Sequence, residues 1–205
     1  MRDLGQDLEQ HLALEPTPPG WLEAVFGDFD AFLQDHASCE KKASGMALNI
    51  ASHYPDQPKL IAAMADLAVE ELGHYREVIR LLIERGVTPG PDRKDPYVRA
   101  LNDAIRRGPE HFLLDRLLVA AIIERRGNER FGLIAAGLPE ADFPGSKQLA
   151  AFYRAITASE DRHWQLFLDL AVSHCSEPAI EPRLIELVEL ERTLMLAQPF
   201  EPALH

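Results

Sequence analysis

Apolar residues recur along most of this chain at spacings of three and four, the period of a helix with one buried face. The clearest run, about Asp28 to His53, carries Phe29, Phe32, Leu33, Ala37, Ala47 and Leu48, with Glu40 and Ser44 among them. Tyr54-Pro55-Asp56-Gln57-Pro58 interrupts it, and the pattern resumes from Pro58 to about Arg85. Gly86 is placed to cap this second helix, and Pro89-Gly90-Pro91 follows. A third helix is predicted from near Pro109, a favoured first-turn residue, to Ala136, where Gly137 and Pro139 stop it. A fourth runs from about Ser146 to His174.

No alternating strand pattern competes with these four helices. Two long helical hairpins predict an all-α four-helix bundle. Residues 87–108 form the longer connection needed to dock one hairpin on another, with a short helix from Pro96 to Arg107. Residues 1–20 read as a loose arm, and a short helix starts at Trp21. A last helix, about Ile180 to Ala197, is expected to pack outside the bundle, ahead of an extended tail from Pro199. The expectation is one domain over 1–205, its core spanning about 21–174.

Composition narrows the function classes. With 205 residues the chain can bury a substantial core. Its net charge of -12 excludes a globally basic nucleic-acid binder, so any RNA contact needs a local basic patch. Cys39 and Cys175 are the only cysteines, too few for a four-thiolate metal site or a disulfide framework. No apolar run reaches the ~20 residues that span a bilayer, and no apolar signal core opens the chain. The default expectation is a soluble, cytoplasmic protein with no membrane contact.

Polar residues inside the apolar stripes carry the candidate chemistry. Glu71-Leu72-Gly73-His74 and Glu160-Asp161-Arg162-His163 are two Glu-x-x-His motifs, and residues three apart share one helix face. With 19 Glu and 8 His, roughly one such pair arises by chance, so neither motif is specific alone. Their level in the hairpins is more informative. Glu40 and Glu71 each lie about 13 residues from the first turn, ~20 Å at the helical rise. Glu124 and Glu160 each lie about 14 residues from the second turn.

Two Glu, Glu-x-x-His sets at matched levels form the donor set of a carboxylate-bridged dimetal site: Glu40, Glu71, His74, Glu124, Glu160 and His163. Two divalent cations would neutralise four buried carboxylates. Oxygen and imidazole donors without thiolate suit iron or manganese. Glu129 is the alternative to Glu124, but it lies ~7 Å out of level and beside Arg125 and Arg126, which suggests a salt-bridged face.

Four segments add a resemblance. Asp35-His36-Ala37-Ser38-Cys39-Glu40-Lys41-Lys42-Ala43, Glu70 to Tyr75, Ile123 to Phe131 and Ser159 to Trp164 resemble the tRNA-(2-methylthio-N6-isopentenyladenosine) hydroxylases. The resemblance covers about Trp21 to His174. It implies a ferritin-like fold and a non-haem di-iron site ligated by the six residues above. It also implies O2-dependent hydroxylation of the isopentenyl group beside the anticodon of tRNA, with electrons from an external reductase or ferredoxin-type donor. Two departures stand out. Gly127-Asn128 replaces a Ser-Cys pair found in some members, and the stretch from Ala136 to Ser146 is longer.

Other functions fit the dimetal pattern alone. A rubrerythrin-like peroxidase would share it, although that protein's four-cysteine module is missing from this sequence. A ferritin-like iron-binding protein would share it too. Arg93, Lys94, Arg99, Arg106 and Arg107 offer a phosphate-docking patch, but nearby Asp92, Asp95 and Asp103 favour a solvated, charge-balanced loop. His36, one turn before Glu40, reads as a core or surface histidine rather than a support for the ligands. Cys39 reads as a small filler. Phe131, Tyr153, Trp164 and Phe167 read as core or pocket lining.

Overall fold

The computed structural model describes residues 4–141, 143 and 145–205, and among them no strand forms. The helices are α1 (Leu4–His11), α2 (Pro19–Gly27), α3 (Phe29–His53), α4 (Pro58–Glu84), α5 (Pro96–Asp103), α6 (Phe112–Gly137), α7 (Ser146–His174) and α8 (Glu177–Ala197). The all-α expectation holds. The chain divides into two compact units.

One unit spans Glu23–Lys94 with Glu201–Leu204, and its centre is the α3–α4 hairpin. Asp28 caps α3 by accepting a hydrogen bond from Ala31 N at 3.0 Å. Pro58 then starts α4, where its missing N–H costs nothing. Gly86, at φ 74°, ends α4 with Gly86 N donating to Ile83 O and Val87 N to Leu82 O. That pairing satisfies carbonyls the helix end leaves over, and it needs the left-handed backbone glycine provides. Phe32, Leu33, Ala47 and Ile50 of α3 are buried, as are Leu60, Met64, Val78 and Leu82 of α4. The Ser44 hydroxyl donates to Ala68 O at 2.8 Å, tying the two helices together beside the candidate ligands.

The second unit spans residues 1–22, Asp95–Phe200 and His205. Its central hairpin pairs α6 with α7 through a short 3-10 turn, Leu138–Glu140. Leu117, Leu118, Ile122, Phe131 and Ile134 on α6 and Tyr153, Ile156 and Phe167 on α7 fill its core. α8 packs along this hairpin, and Leu184, Leu187 and Met195 are buried.

Four expectations need correction. The arm is not loose over its length, because α1 forms and packs on α7 and α8. Eight residues are too few for a stable isolated helix. Leu8 and Leu12, one turn apart, are fully buried, and burying each contributes about 1.5–3 kcal/mol. Met1 to Asp3 of that arm, and positions 142 and 144 of the long α6–α7 stretch, lie outside the described residues.

α5 ends at Asp103 rather than Arg107, because Arg106 N donates to Asp115 Oδ2 at 2.9 Å. α6 starts at Phe112 rather than Pro109. Gly108, at φ 119°, opens a turn in which His111 N and Phe112 N both donate to its carbonyl. α8 starts at Glu177, three residues early, with Pro178 in its first turn.

Candidate metal centre

Within the α3–α4 hairpin, Glu40, Glu71 and His74 converge. One candidate ligand atom from each lies within 4.8 Å of the others. His74 Nδ1 is 3.3 Å from Glu71 Oε2 and 3.6 Å from Glu40 Oε2. Glu40 and Glu71 are buried. Burial pulls the His74 imidazole down, but the Glu40 and Glu71 carboxylates more than offset it and raise its pKa to about 10. Paired carboxylates next to an imidazole thus create a site that attracts a cation, here a proton.

Within the α6–α7 hairpin, Glu124, Glu160 and His163 repeat the arrangement. Their candidate ligand atoms also lie within 4.8 Å of one another, and all three residues are buried. His163 Nδ1 lies 3.3 Å from Glu160 Oε2, matching the His74–Glu71 spacing in the other hairpin. The small residues Ala120, Ala121 and Gly127 surround Glu124 along α6, and all three are buried.

Glu129 is occupied elsewhere. Thr17 N donates to its Oε1 and the Thr17 hydroxyl to its Oε2, each at 2.7 Å, while Arg126 Nη1 donates to Oε2 at 2.5 Å. Arg126 also donates to Glu191 on α8, and Glu191 accepts from Tyr97. These contacts make Glu129 part of an ion network holding the arm and α8 to α6.

The donors suit iron. Ligands of one ion stand at most about twice a ~2.1 Å metal–ligand bond apart, or ~4.2 Å. Both half-sets therefore need to close by less than about 1 Å. Each brings two carboxylates and one imidazole, so one divalent cation balances each set. The glutamate and histidine clusters are compatible with a di-iron site.

A family model, tRNA-(MS[2]IO[6]A)-hydroxylase (MiaE), matches residues 6–205. The chain belongs to this family. It is therefore grouped with the tRNA-modifying hydroxylases, which are oxidoreductases. A tRNA 2-(methylsulfanyl)-N(6)-isopentenyladenosine(37) hydroxylase from Pseudomonas putida is 38% identical over 184 residues, covering 90% of this chain and 86% of the relative. The enzyme of the same name from Salmonella typhimurium is 31% identical over 147 residues, covering 72% of this chain and 52% of the relative. Among solved structures, a Synechococcus protein with aldehyde deformylating oxygenase activity matches with a TM-score of 0.84 and 33% identity. That match covers 93% of this chain and 91% of the other. The fold class is ferritin-like.

The departures at 127 and 128 have a structural account. Asn128 Nδ2 donates to Thr157 O at 2.7 Å and its Oδ1 accepts from Arg125, so the side chain ties α6 to α7. A Cβ at Gly127 would meet only Phe131, at an ordinary 3.9 Å. An open groove of about 630 Å³ runs beside Asn128, lined also by Gly132, Ala136, Arg154, Thr157 and Asp161. No periodicity signal announced that groove.

The basic residues of the connection are largely neutralised. Arg93 pairs with Glu201, Arg99 with Asp103, and Arg106 with the buried Asp115. Lys94 and Arg107 are exposed. Phe131, Tyr153, Trp164 and Phe167 are all buried, as expected of core residues. Cys39 is half-buried, and its thiol points to Asp35 Oδ2 at 3.8 Å. His36 lies in the core, one of its two expected places, but its ring is on Glu40, a contact the sequence did not favour. Among the described residues no helix is long and apolar enough to cross a membrane.

Proposed function

We propose that this chain hydroxylates the isopentenyl group of 2-methylthio-N6-isopentenyladenosine in tRNA, with Glu40, Glu71, His74, Glu124, Glu160 and His163 ligating two iron ions. The observation that carries this reading is the doubled buried set of Glu and Glu-x-x-His, in a chain that the family model matches from residue 6 to 205. The named activity of both hydroxylase relatives supports the substrate.

The bound irons would supply O2 activation, chemistry that no side chain here provides. The reaction balances as one C–H bond becoming C–OH, the second oxygen atom leaving as water. Two electrons and two protons come from outside the substrate, and a ferredoxin-type protein or a reductase is the class of donor required. The chain's own residues have three tasks. Glu71 with His74, and Glu160 with His163, hold each donor pair on one helix face. Ser44 and Asn128 fix the spacing within each hairpin. Phe131 lies two turns from Glu124, and Tyr153 and Phe167 two turns from Glu160, so their buried rings would help to keep bulk water from those carboxylates.

The test is direct. Iron-loaded protein is incubated with prenylated tRNA, O2 and a chemical or protein reductant, and the digested nucleosides are weighed. The expected result is about two irons per chain and a gain of one oxygen on the modified adenosine. Protein that carries iron yet leaves that nucleoside unchanged would refute the substrate. Many irons per assembled cage would instead indicate storage.

A further inference from the structure

The two half-sets repeat in sequence, but the residue one turn before the first glutamate of each is not the same. Four residues before Glu40 stands His36, and four residues before Glu124 stands Ala120. One helical turn places such residues one above the other. His36 is fully buried, and its Nε2 lies 2.6 Å from Glu40 Oε1. At that distance from a carboxylate the ring nitrogen carries the hydrogen and donates it. The ring packs 6.0 Å from that of Phe32, so its orientation is constrained from the preceding turn as well. Glu40 thus has its two oxygens divided: Oε1 takes the hydrogen bond from His36, and Oε2 faces His74 Nδ1.

We infer that His36 is a positioning residue that reserves Glu40 Oε1, so that Glu40 would reach a metal through Oε2. This inference rests on the metal-centre reading above. A carboxylate with one oxygen held by a rigid donor binds through the other and resists swinging into a two-oxygen grip. Partners of this kind typically change metal affinity 10–100-fold when removed.

Cobalt(II) alone is the probe, because its visible absorption reports coordination number without any turnover. Metal-free full-length protein is titrated as wild type and as His36→Leu, His36→Asn and His36→Gln, with folding checked by circular dichroism. Gln reaches about as far as the imidazole Nε2 and keeps a donor; Asn is polar but too short; Leu fills the space without a donor. The expected wild-type result is two cobalt ions bound per chain.

Leu and Asn should weaken one step 10–100-fold and lower the visible absorption as Glu40 takes a second bond. Gln should restore both properties. If Leu alone fails to fold, Asn carries the same prediction. Asn binding both equivalents with the wild-type spectrum would overturn the inference while leaving the metal centre intact, and so would Gln failing as Asn does. Wild-type protein that binds no cobalt would overturn the metal-centre reading itself, and the inference with it.

Discussion

Replacing Glu191 by alanine is the sharpest test of how α8 supports the α6–α7 hairpin. Glu191 and Arg126 are both fully buried, and Arg126 Nε donates to Glu191 Oε1 at 2.8 Å. Tyr97 Oη donates to the same oxygen at 2.9 Å. Removing one partner of a buried ion pair costs about 3–5 kcal/mol, because the surviving charge stays out of water. Here Arg126 keeps Glu129 and the Thr17 hydroxyl, and Glu191 Oε2 makes no hydrogen bond to begin with. The lower end therefore applies, about 3 kcal/mol. For a chain of this size that corresponds to a melting point lowered by roughly 6–12 °C.

Urea and thermal unfolding of wild type, Glu191→Ala, Arg126→Met and the double variant give the full cycle. The double variant should lose much less than the sum of the singles, since both charges leave together. A loss under about 1 kcal/mol in Glu191→Ala, or strictly additive single effects, would refute the assignment of this network as the clamp on α6.

The remaining expectations follow from single contacts. Burial pushes the Asp115 carboxyl up, but hydrogen bonds from Arg106 and Arg183 more than offset it and hold its pKa below the ordinary carboxylate value. A lowered folded pKa stabilises fully above the unfolded value of about 3.9 and is lost as pH falls through the folded one. Asp115→Asn should therefore cost stability at pH 7, with the gap to wild type narrowing below about pH 4; a gap that widens in acid contradicts this. Burial pushes the Cys175 thiol up to about 11. Its alkylation at pH 8 should be roughly 100-fold slower than that of a free thiol, and a comparable rate by mass spectrometry would contradict the burial. Asn128→Ala should cost about 1–2 kcal/mol in urea unfolding, since the Thr157 carbonyl loses its donor.

The helices were legible because each hairpin repeats an apolar stripe and ends on strong punctuation: Asp28, Pro58, Gly86 and Gly137 all act at helix ends. The candidate ligands were legible because a metal site in a bundle needs carboxylates at one level, and level follows from counting residues to the turn. What escaped was tertiary. α1 is too short to announce itself by period, and it forms because Leu8 and Leu12 find a surface. The start of α6 shifted because a glycine-led turn displaced the favoured proline position. His36 escaped because the same one-turn spacing from Glu40 suits a packing histidine and a hydrogen-bonding one equally. Only its ring direction separates them. Glu129 illustrates the converse: its arginine neighbours signalled ion pairing from sequence, but Thr17, 112 residues away, could not be foreseen as a partner.

If a di-iron site in this chain inserts oxygen from O2 into a prenyl group on tRNA, as we propose, the product must carry an atom of the gas. The most direct measurement is incubation of iron-loaded protein, reductant and prenylated tRNA under isotopically labelled oxygen gas, followed by mass spectrometry of the nucleosides. One labelled oxygen atom on the isopentenyl side chain, lost in a Glu71→Ala variant that no longer retains its iron, is the predicted result. An unchanged nucleoside in the presence of bound iron, or oxygen drawn from water, would contradict the proposed function.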